Sequence, residues 1–168
     1  MIRRIDFDDL DPTLQEALRP RVERLGYLGE FFQCAAHQPE ALVSLNALTE
    51  QLRGALPDEA AEIVALTVAT VTGNDYERHQ HERLSLELGF SEQWVRSVLA
   101  LEEGGVVQGT VLGLLRDRGR GADVDALAAE KGDACAIAVL LLTGRYLMHS
   151  TVVNALGLAP PVPSPLGQ

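Results

Sequence analysis

The densest group of ionisable side chains in this sequence lies at residues 74–82, which read Asn-Asp-Tyr-Glu-Arg-His-Gln-His-Glu. If this segment is helical, Asn74, Glu77 and His81 stand at positions i, i+3 and i+7 and share one face. A carboxylate one turn before a histidine can orient the imidazole and raise its pKa. We therefore expect Glu77 and His81 to transfer protons near neutral pH if they are partly buried. The alternative is a solvated helix face with an ordinary ion pair.

A second carboxylate, Glu62, lies in the apolar stretch at residues 60–69. A lone acid among such neighbours is costly to bury unless it is paired. The break at Thr72-Gly73 predicts that the helices on either side fold back as an antiparallel pair. Glu62 would then approach His81, so that two carboxylates and one histidine converge.

Metal binding by Glu77, His79 and His81 is another possibility. His79 and His81 are two residues apart, which is about 200° around a helix, so they cannot hold one ion together. Glu77 and His81 could ligate with Glu62, but such a site has no fixed sequence signature. We therefore predict no metal site here.

The elements that must position these residues are helices. Few stretches alternate apolar and polar residues, and the residue pairs typical of tight hairpins are missing. Proline or Ser91 begins several helical patterns, and glycine ends them. Helices are expected from Pro12, at about 28–36, 39–54, 57–72, 74–88, from Ser91, at 106–115 and at 133–156. The prediction is a single all-α domain of about seven or eight helices.

Three segments are expected along the chain. Residues 1–20 form an N-terminal segment and residues 21–158 form the helical domain. Residues 159–168 form a proline-rich tail that cannot pack as a helix and is extended or disordered.

Composition excludes several classes of protein. The 168 residues carry a formal charge of −10, which argues against nucleic-acid binding and against an anionic membrane surface. The longest apolar run, at 134–142, is about half of what a bilayer span requires. The charged start of the chain does not resemble a signal peptide, so a cytoplasmic location is expected. Cys34 and Cys135 are far apart and are expected to behave as small buried hydrophobic residues.

Several motifs resemble the carboxymuconolactone decarboxylase family, which includes the alkylhydroperoxidase D-like (AhpD-like) proteins. The resemblance covers roughly residues 20–160, and the matching segments lie at 37–42, 62–69, 73–81, 88–95 and 143–156. They are similar to the family's His-x-Pro-Glu opening, Glu-led helix, Tyr-Glu-x-x-x-His segment and Gly-Phe-Ser helix start. The resemblance implies the AhpD-like helical bundle.

One departure from the family pattern bears on the chemistry. Peroxidase members carry Cys-x-x-Cys-x-x-x-His twelve residues after the helix glutamate, and here Asn74 and Glu77 occupy the two cysteine positions. Neither residue can run disulfide chemistry, so thiol peroxidase activity is not expected. The chain is more similar to the decarboxylase-like branch. That resemblance implies a small carboxylated or lactone-type substrate, no metal or organic cofactor, and assembly as a trimer or hexamer.

On this interpretation the protein is a lyase-type acid–base enzyme. His81 would transfer the proton, and Glu77 and Glu62 would orient its imidazole or act as its acid–base partners. Tyr76 and Asn74 would donate hydrogen bonds to a developing enolate or carboxylate. The alternative is a family member without chemistry that serves as an oligomeric binding or scaffold protein.

Two nearby carboxylates would repel an anionic substrate, so one of them must be protonated or paired, or a cation must come from elsewhere. Arg78, Arg145 and Arg53 are candidates, each weighed against an ordinary surface role. His149 is expected to be a polar residue inside a helix rather than part of the site.

Overall fold

The structure, a computed structural model, describes residues 2–102 and 105–167. Within these residues all regular structure is helical: a short 3-10 helix at Phe7–Asp9 precedes nine α-helices. They are α1 (Pro12–Leu25), α2 (Glu30–Ala35), α3 (Pro39–Gly54), α4 (Asp58–Thr72), α5 (Asp75–Glu87), α6 (Glu92–Leu99), α7 (Val106–Arg116), α8 (Val124–Lys131) and α9 (Asp133–Leu156). The all-α class is confirmed. The helix missed by the sequence prediction is α8, an eight-residue helix capped by Asp123.

The chain clusters into two compact units where the sequence predicted one domain; the first ends at Gln51 and the second begins at Leu52. The predicted segment ends at residues 20 and 158 remain predictions. The first unit contains α1, α2 and most of α3. Pro20 lies inside α1 without ending it, and the Phe31 and Phe32 rings pack edge to face with centroids 5.2 Å apart.

The second unit is built around α4. This helix packs against α5, α6, α7 and α9, and every residue from Ala60 to Ala69 is buried, Glu62 included. A helix buried on all sides shows no polar face, which explains its near-continuous apolar sequence.

The longest helix, α9, is apolar enough to cross a membrane by length and composition, with a mean hydropathy of 1.5. In the structure 56% of that stretch is buried, against α4, α7 and α8. It also carries buried polar side chains, among them Thr143, Arg145 and His149. These features are typical of the core helix of a globular unit.

The turn between α4 and α5 positions the candidate site. Gly73 ends α4 in the left-handed conformation, with a φ of 62°, which glycine adopts without strain. Asn74 then caps α5, because its side-chain oxygen accepts a hydrogen bond from the Glu77 backbone N–H at 3.2 Å. The two helices therefore lie side by side, as the sequence predicted.

The proline-rich tail is non-helical and packed. The Val162 carbonyl oxygen lies 3.1 Å from His79 Nδ1, and the Leu166 carbonyl accepts a hydrogen bond from Arg96 at 2.7 Å. Ser164 donates to the buried carboxylate of Glu82. The described residues of the tail include bends and a turn.

Candidate active site

His81 is held by polar groups at both ring nitrogens. Its Nδ1 lies 2.8 Å from Oε2 of Glu62 on α4. Its Nε2 lies 3.2 Å from Oε2 of Glu77 and 3.1 Å from the hydroxyl of Tyr146 on α9. The residue is 3% exposed. The structure therefore brings together the two carboxylates and the histidine singled out from the sequence, and it adds a tyrosine.

Glu62 is completely buried. Oε2 also accepts a hydrogen bond from Ser85 at 3.1 Å, and Oε1 accepts one from Nη2 of Arg53 at 2.9 Å. A buried carboxylate is tolerated when its oxygens are paired in this way. Two of these partners, His81 and Ser85, are one turn apart on α5, so the packing of α5 on α4 creates most of the site.

Glu77 joins two histidines. Oε2 faces His81, while Oε1 lies 2.9 Å from Nε2 of His149 and 3.8 Å from Nη1 of Arg145. His149 is completely buried, and its ring contacts the Tyr76 ring at a centroid distance of 5.8 Å. His149 lies inside α9, as expected. Its ring contacts Glu77, so it belongs to the site, which the sequence did not predict.

The pairing strongly shifts the protonation of these groups. Burial lowers the pKa of His81, but the Tyr146 oxygen, Glu62 and Glu77 outweigh it and raise that pKa to about 10. Burial raises the pKa of Glu62, but His81 and Arg53 outweigh it and lower that pKa to about 2. Burial also raises the pKa of Glu77, and His149 and His81 hold it well below its usual range. The two carboxylates beside its ring nitrogens therefore favour the imidazolium form of His81.

The other residues proposed from the sequence lie in three different surroundings. Asn74 is buried, caps α5 and donates a hydrogen bond to Ser150 at 2.9 Å. Arg145 lies at the site beside Glu77, whereas Arg78 pairs with Asp75 at 2.8 Å and Glu82 at 3.0 Å. The Arg78 guanidinium is therefore engaged by these two carboxylates and is not among the hydrogen-bond partners of His81. The functional roles assigned to these residues from the sequence remain predictions.

Tyr146, His149 and Ser85 are site residues that the sequence reasoning missed, and Arg53 was only one of three candidate cations. A signal for two of them existed: Tyr146 and His149 are three residues apart in a largely apolar helix and share one face. Ser85 follows His81 by four residues, one turn further along α5. Nothing near Arg53 in the sequence points to Glu62.

Two further observations bear on what the site can hold. Among residues 2–102 and 105–167, no group of three or more His, Cys, Asp or Glu side chains is arranged to hold a metal ion. A cavity of about 220 Å³ lies elsewhere in the second unit, lined by residues that include Ile63, Val106, Lys131 and Cys135. No residue named above as a site residue lines that cavity.

The first comparison is with solved structures and concerns the fold. The chain is similar to a crystal structure from Agrobacterium tumefaciens, a protein of unknown function proposed to be the antioxidant defence protein AhpD. The TM-score is 0.68 at 21% identity, and the match covers 77% of this chain and 96% of the other. The fold is therefore the AhpD-like helical fold.

The second comparison is with family models. Residues 39–104 match the model of the carboxymuconolactone decarboxylase family, and this stretch contains Glu62, Glu77 and His81. The chain is therefore similar to that family over these residues. The resemblance stated from the motifs is thus confirmed. The sequence matches no curated protein.

Proposed function

We propose that this protein is a cofactor-independent acid–base enzyme of the decarboxylase-like type, acting on a small carboxylated or lactone-type molecule. The observation that carries the proposal is the placement of His81, whose Nδ1 is 2.8 Å from one buried carboxylate and whose Nε2 is 3.2 Å from another. A histidine oriented at both nitrogens is positioned to give and regain a proton.

A decarboxylation at this site would use His81 as a general acid. When the C–C bond of the substrate breaks, its electron pair stays on the carbon and forms an enolate while CO₂ leaves. The proton on Nε2 is transferred to the enolate carbon, and His81 then regains a proton from water. Glu62 keeps Nδ1 protonated throughout, because its oxygen accepts that hydrogen bond and its pKa is about 2.

Thiol peroxidase chemistry is not part of the proposal, although the similar Agrobacterium protein is thought to act in antioxidant defence. Asn74 and Glu77 stand where that chemistry needs cysteines, and Glu77 lies next to His81. The two cysteines of the chain are elsewhere: Cys34 is in α2, and Cys135 is in the first turn of α9.

The second candidate is an oligomeric binding or scaffold protein. One observation favours it: Glu62, Glu77 and His81 are all at most 6% exposed and are surrounded by the chain's own side chains. In that case the buried charges would serve to specify how α4, α5 and α9 pack.

Turnover of a substrate panel separates the two functions. CO₂ release would be measured from small β-keto acids and carboxylated lactones, with the wild-type protein, His81→Gln and His79→Gln. His79 is a matched control, because it is on the same helix and contacts the tail rather than the site. If the protein is an enzyme, His81→Gln should lower the rate of CO₂ release about 100-fold or more, which is typical of removing a general acid, and His79→Gln should leave the rate unchanged. Equal rates for His81→Gln and the wild type would refute the role of His81.

We further propose a homo-oligomer, a trimer or hexamer, in the cytoplasm, with no nucleic-acid or membrane partner. The resemblance to the family supports the assembly, and the charge of −10 supports the absence of anionic partners. Light scattering coupled to size-exclusion chromatography would give the subunit count from the 18.2 kDa chain mass.

A further inference from the structure

We propose that Arg53 and Tyr146 form the docking point for the anionic group of the substrate, a carboxylate or enolate oxygen, beside His81. This inference rests on the proposed function, because it assigns the substrate-binding part of the same site. The comparisons give neither residue a role, and the sequence offered Arg53 only as one of three candidate cations.

Arg53 is the first part of the docking point because it connects the buried network to solvent. Its side chain is 21% exposed, whereas those of Glu62 and His149 are 0% exposed and that of Arg145 is 2% exposed. A guanidinium carries five N–H donors. Those of Arg53 donate to Glu62 at 2.9 Å and Tyr146 at 3.3 Å and to no other group in the part of the chain that the structure describes. The remaining donors are available to a ligand that arrives from solvent.

Tyr146 supplies a donor beside the proton of His81. The hydroxyl oxygen accepts from Arg53 and lies 3.1 Å from Nε2 of His81. A protonated Nε2 cannot accept a hydrogen bond, so the phenolic proton then has no acceptor within the residues described. Tyr146 is 3% exposed, and a buried hydroxyl without an acceptor is unfavourable. A substrate oxygen bound here would accept this proton and lie next to Nε2.

The charges of the cluster favour an anion. With His81 protonated, three cations, namely Arg53, Arg145 and His81, lie at the two carboxylates Glu62 and Glu77. The Arg145 guanidinium also lies over the Tyr146 ring, 4.6 Å from its centroid. A carboxylate bound at Arg53 and Tyr146 would be attracted by these cations, and a neutral ligand of the same shape would not.

This assignment resolves the electrostatic problem posed by two carboxylates at the site. Arg78 is engaged by Asp75 and Glu82. Arg145 has the required charge but lies too deep to meet a ligand first. Arg53 alone among the three candidates both contacts the His81 network and reaches solvent.

The test measures anion binding without any turnover. Acetate would be titrated into the ¹⁵N-labelled full-length protein at pH 7, with acetamide as a neutral probe of the same shape and ionic strength held constant with sodium chloride. The ring signals of His81 report binding. We expect a saturable shift with acetate and none with acetamide.

Variants then assign the contacts. Arg53→Gln should abolish the shift, and Tyr146→Phe should weaken acetate binding about fivefold to tenfold, the effect of one lost hydrogen bond. Arg83→Gln is the matched control, because Arg83 pairs with Glu87 on α5 and should bind acetate like the wild type. If Arg53→Gln does not fold, Tyr146→Phe and Arg53→Lys still decide the matter.

Three results would overturn the inference: no saturable acetate shift in the wild type, an equal response to acetamide, or unchanged acetate affinity in both the Arg53 and Tyr146 variants. Failure of the proposed function looks different. In that case acetate binds and depends on Arg53, but no substrate is turned over.

Discussion

The ion pair between Glu62 and His81 can be broken with little change of shape by the substitution Glu62→Gln. Glu62 is completely buried and accepts hydrogen bonds from Arg53, His81 and Ser85. Removing one partner of a buried ion pair costs about 3–5 kcal/mol, because the other charge is left uncompensated. A loss of about 3 kcal/mol would lower the pKa of His81 from about 10 to about 8, since each pKa unit corresponds to about 1.4 kcal/mol.

Two measurements check this prediction. A pH titration of the His81 ring signals by NMR gives the pKa, and urea unfolding at pH 6 gives the free energy of unfolding. Glu82→Gln is the matched control, because Glu82 is equally buried on α5 but is held by Arg78 and Ser164. It should destabilise the fold by a similar amount and leave the pKa of His81 unchanged. The reasoning is refuted if wild-type His81 titrates near pH 6.5, or if Glu62→Gln leaves its pKa near 10.

Three further predictions concern stability, each measured as a free energy of unfolding in urea. The pKa of Glu62, lowered to about 2, stabilises the fold above pH 4.5, and this contribution is lost as the pH falls toward 2. The pKa of His81, raised to about 10, stabilises the fold below pH 6.5, and this contribution is lost as the pH rises toward 10. Stability should therefore be highest between pH 4.5 and 6.5, and a maximum above pH 9 would contradict the pairing. In α7, Gly113→Ala should lower the free energy of unfolding by about 1–3 kcal/mol, because the new Cβ would lie 2.8 Å from the backbone of the following loop. Gly109→Ala is the control: its Cβ meets open space, so it should raise the free energy of unfolding by up to about 1 kcal/mol. Equal effects of the two substitutions would contradict the role of this close contact. Ser164→Ala should cost about 1–2 kcal/mol by removing a hydrogen bond to a buried carboxylate, and no change would mean that the tail contributes nothing to the fold.

Local signals explain how much of the fold was predictable. Asp11 caps α1 and Ser91 caps α6, and Gly89 and Gly157 have the positive φ expected after helix ends. Such residues act within one turn of the chain, so their effect can be predicted without knowing the packing. The helix α8 was missed because its apolar pattern is short and weak, and its burial comes mainly from α7 and α9.

The division of the chain into two compact units was also not predictable. Its boundary falls inside the continuous helix α3, after Gln51. Proline, glycine and charged residues in the sequence indicate where a helix ends. They do not indicate where, within a continuous helix, the packing partners change. Only contacts between residues far apart in sequence decide such a boundary.

By itself, the sequence determined the helices other than α8 and the part of the site formed by α4 and α5. Glu77 and His81 are one turn apart, and the Gly73 turn folds Glu62 back toward them, so short-range geometry was enough. Only the tertiary structure decided the rest of the site. Tyr146 is 65 residues from His81 and 93 from Arg53, and such contacts depend on how α9 and the end of α3 pack against α4. The protonation of His81 depends on the same packing, because burial and the distances to its partners set its pKa.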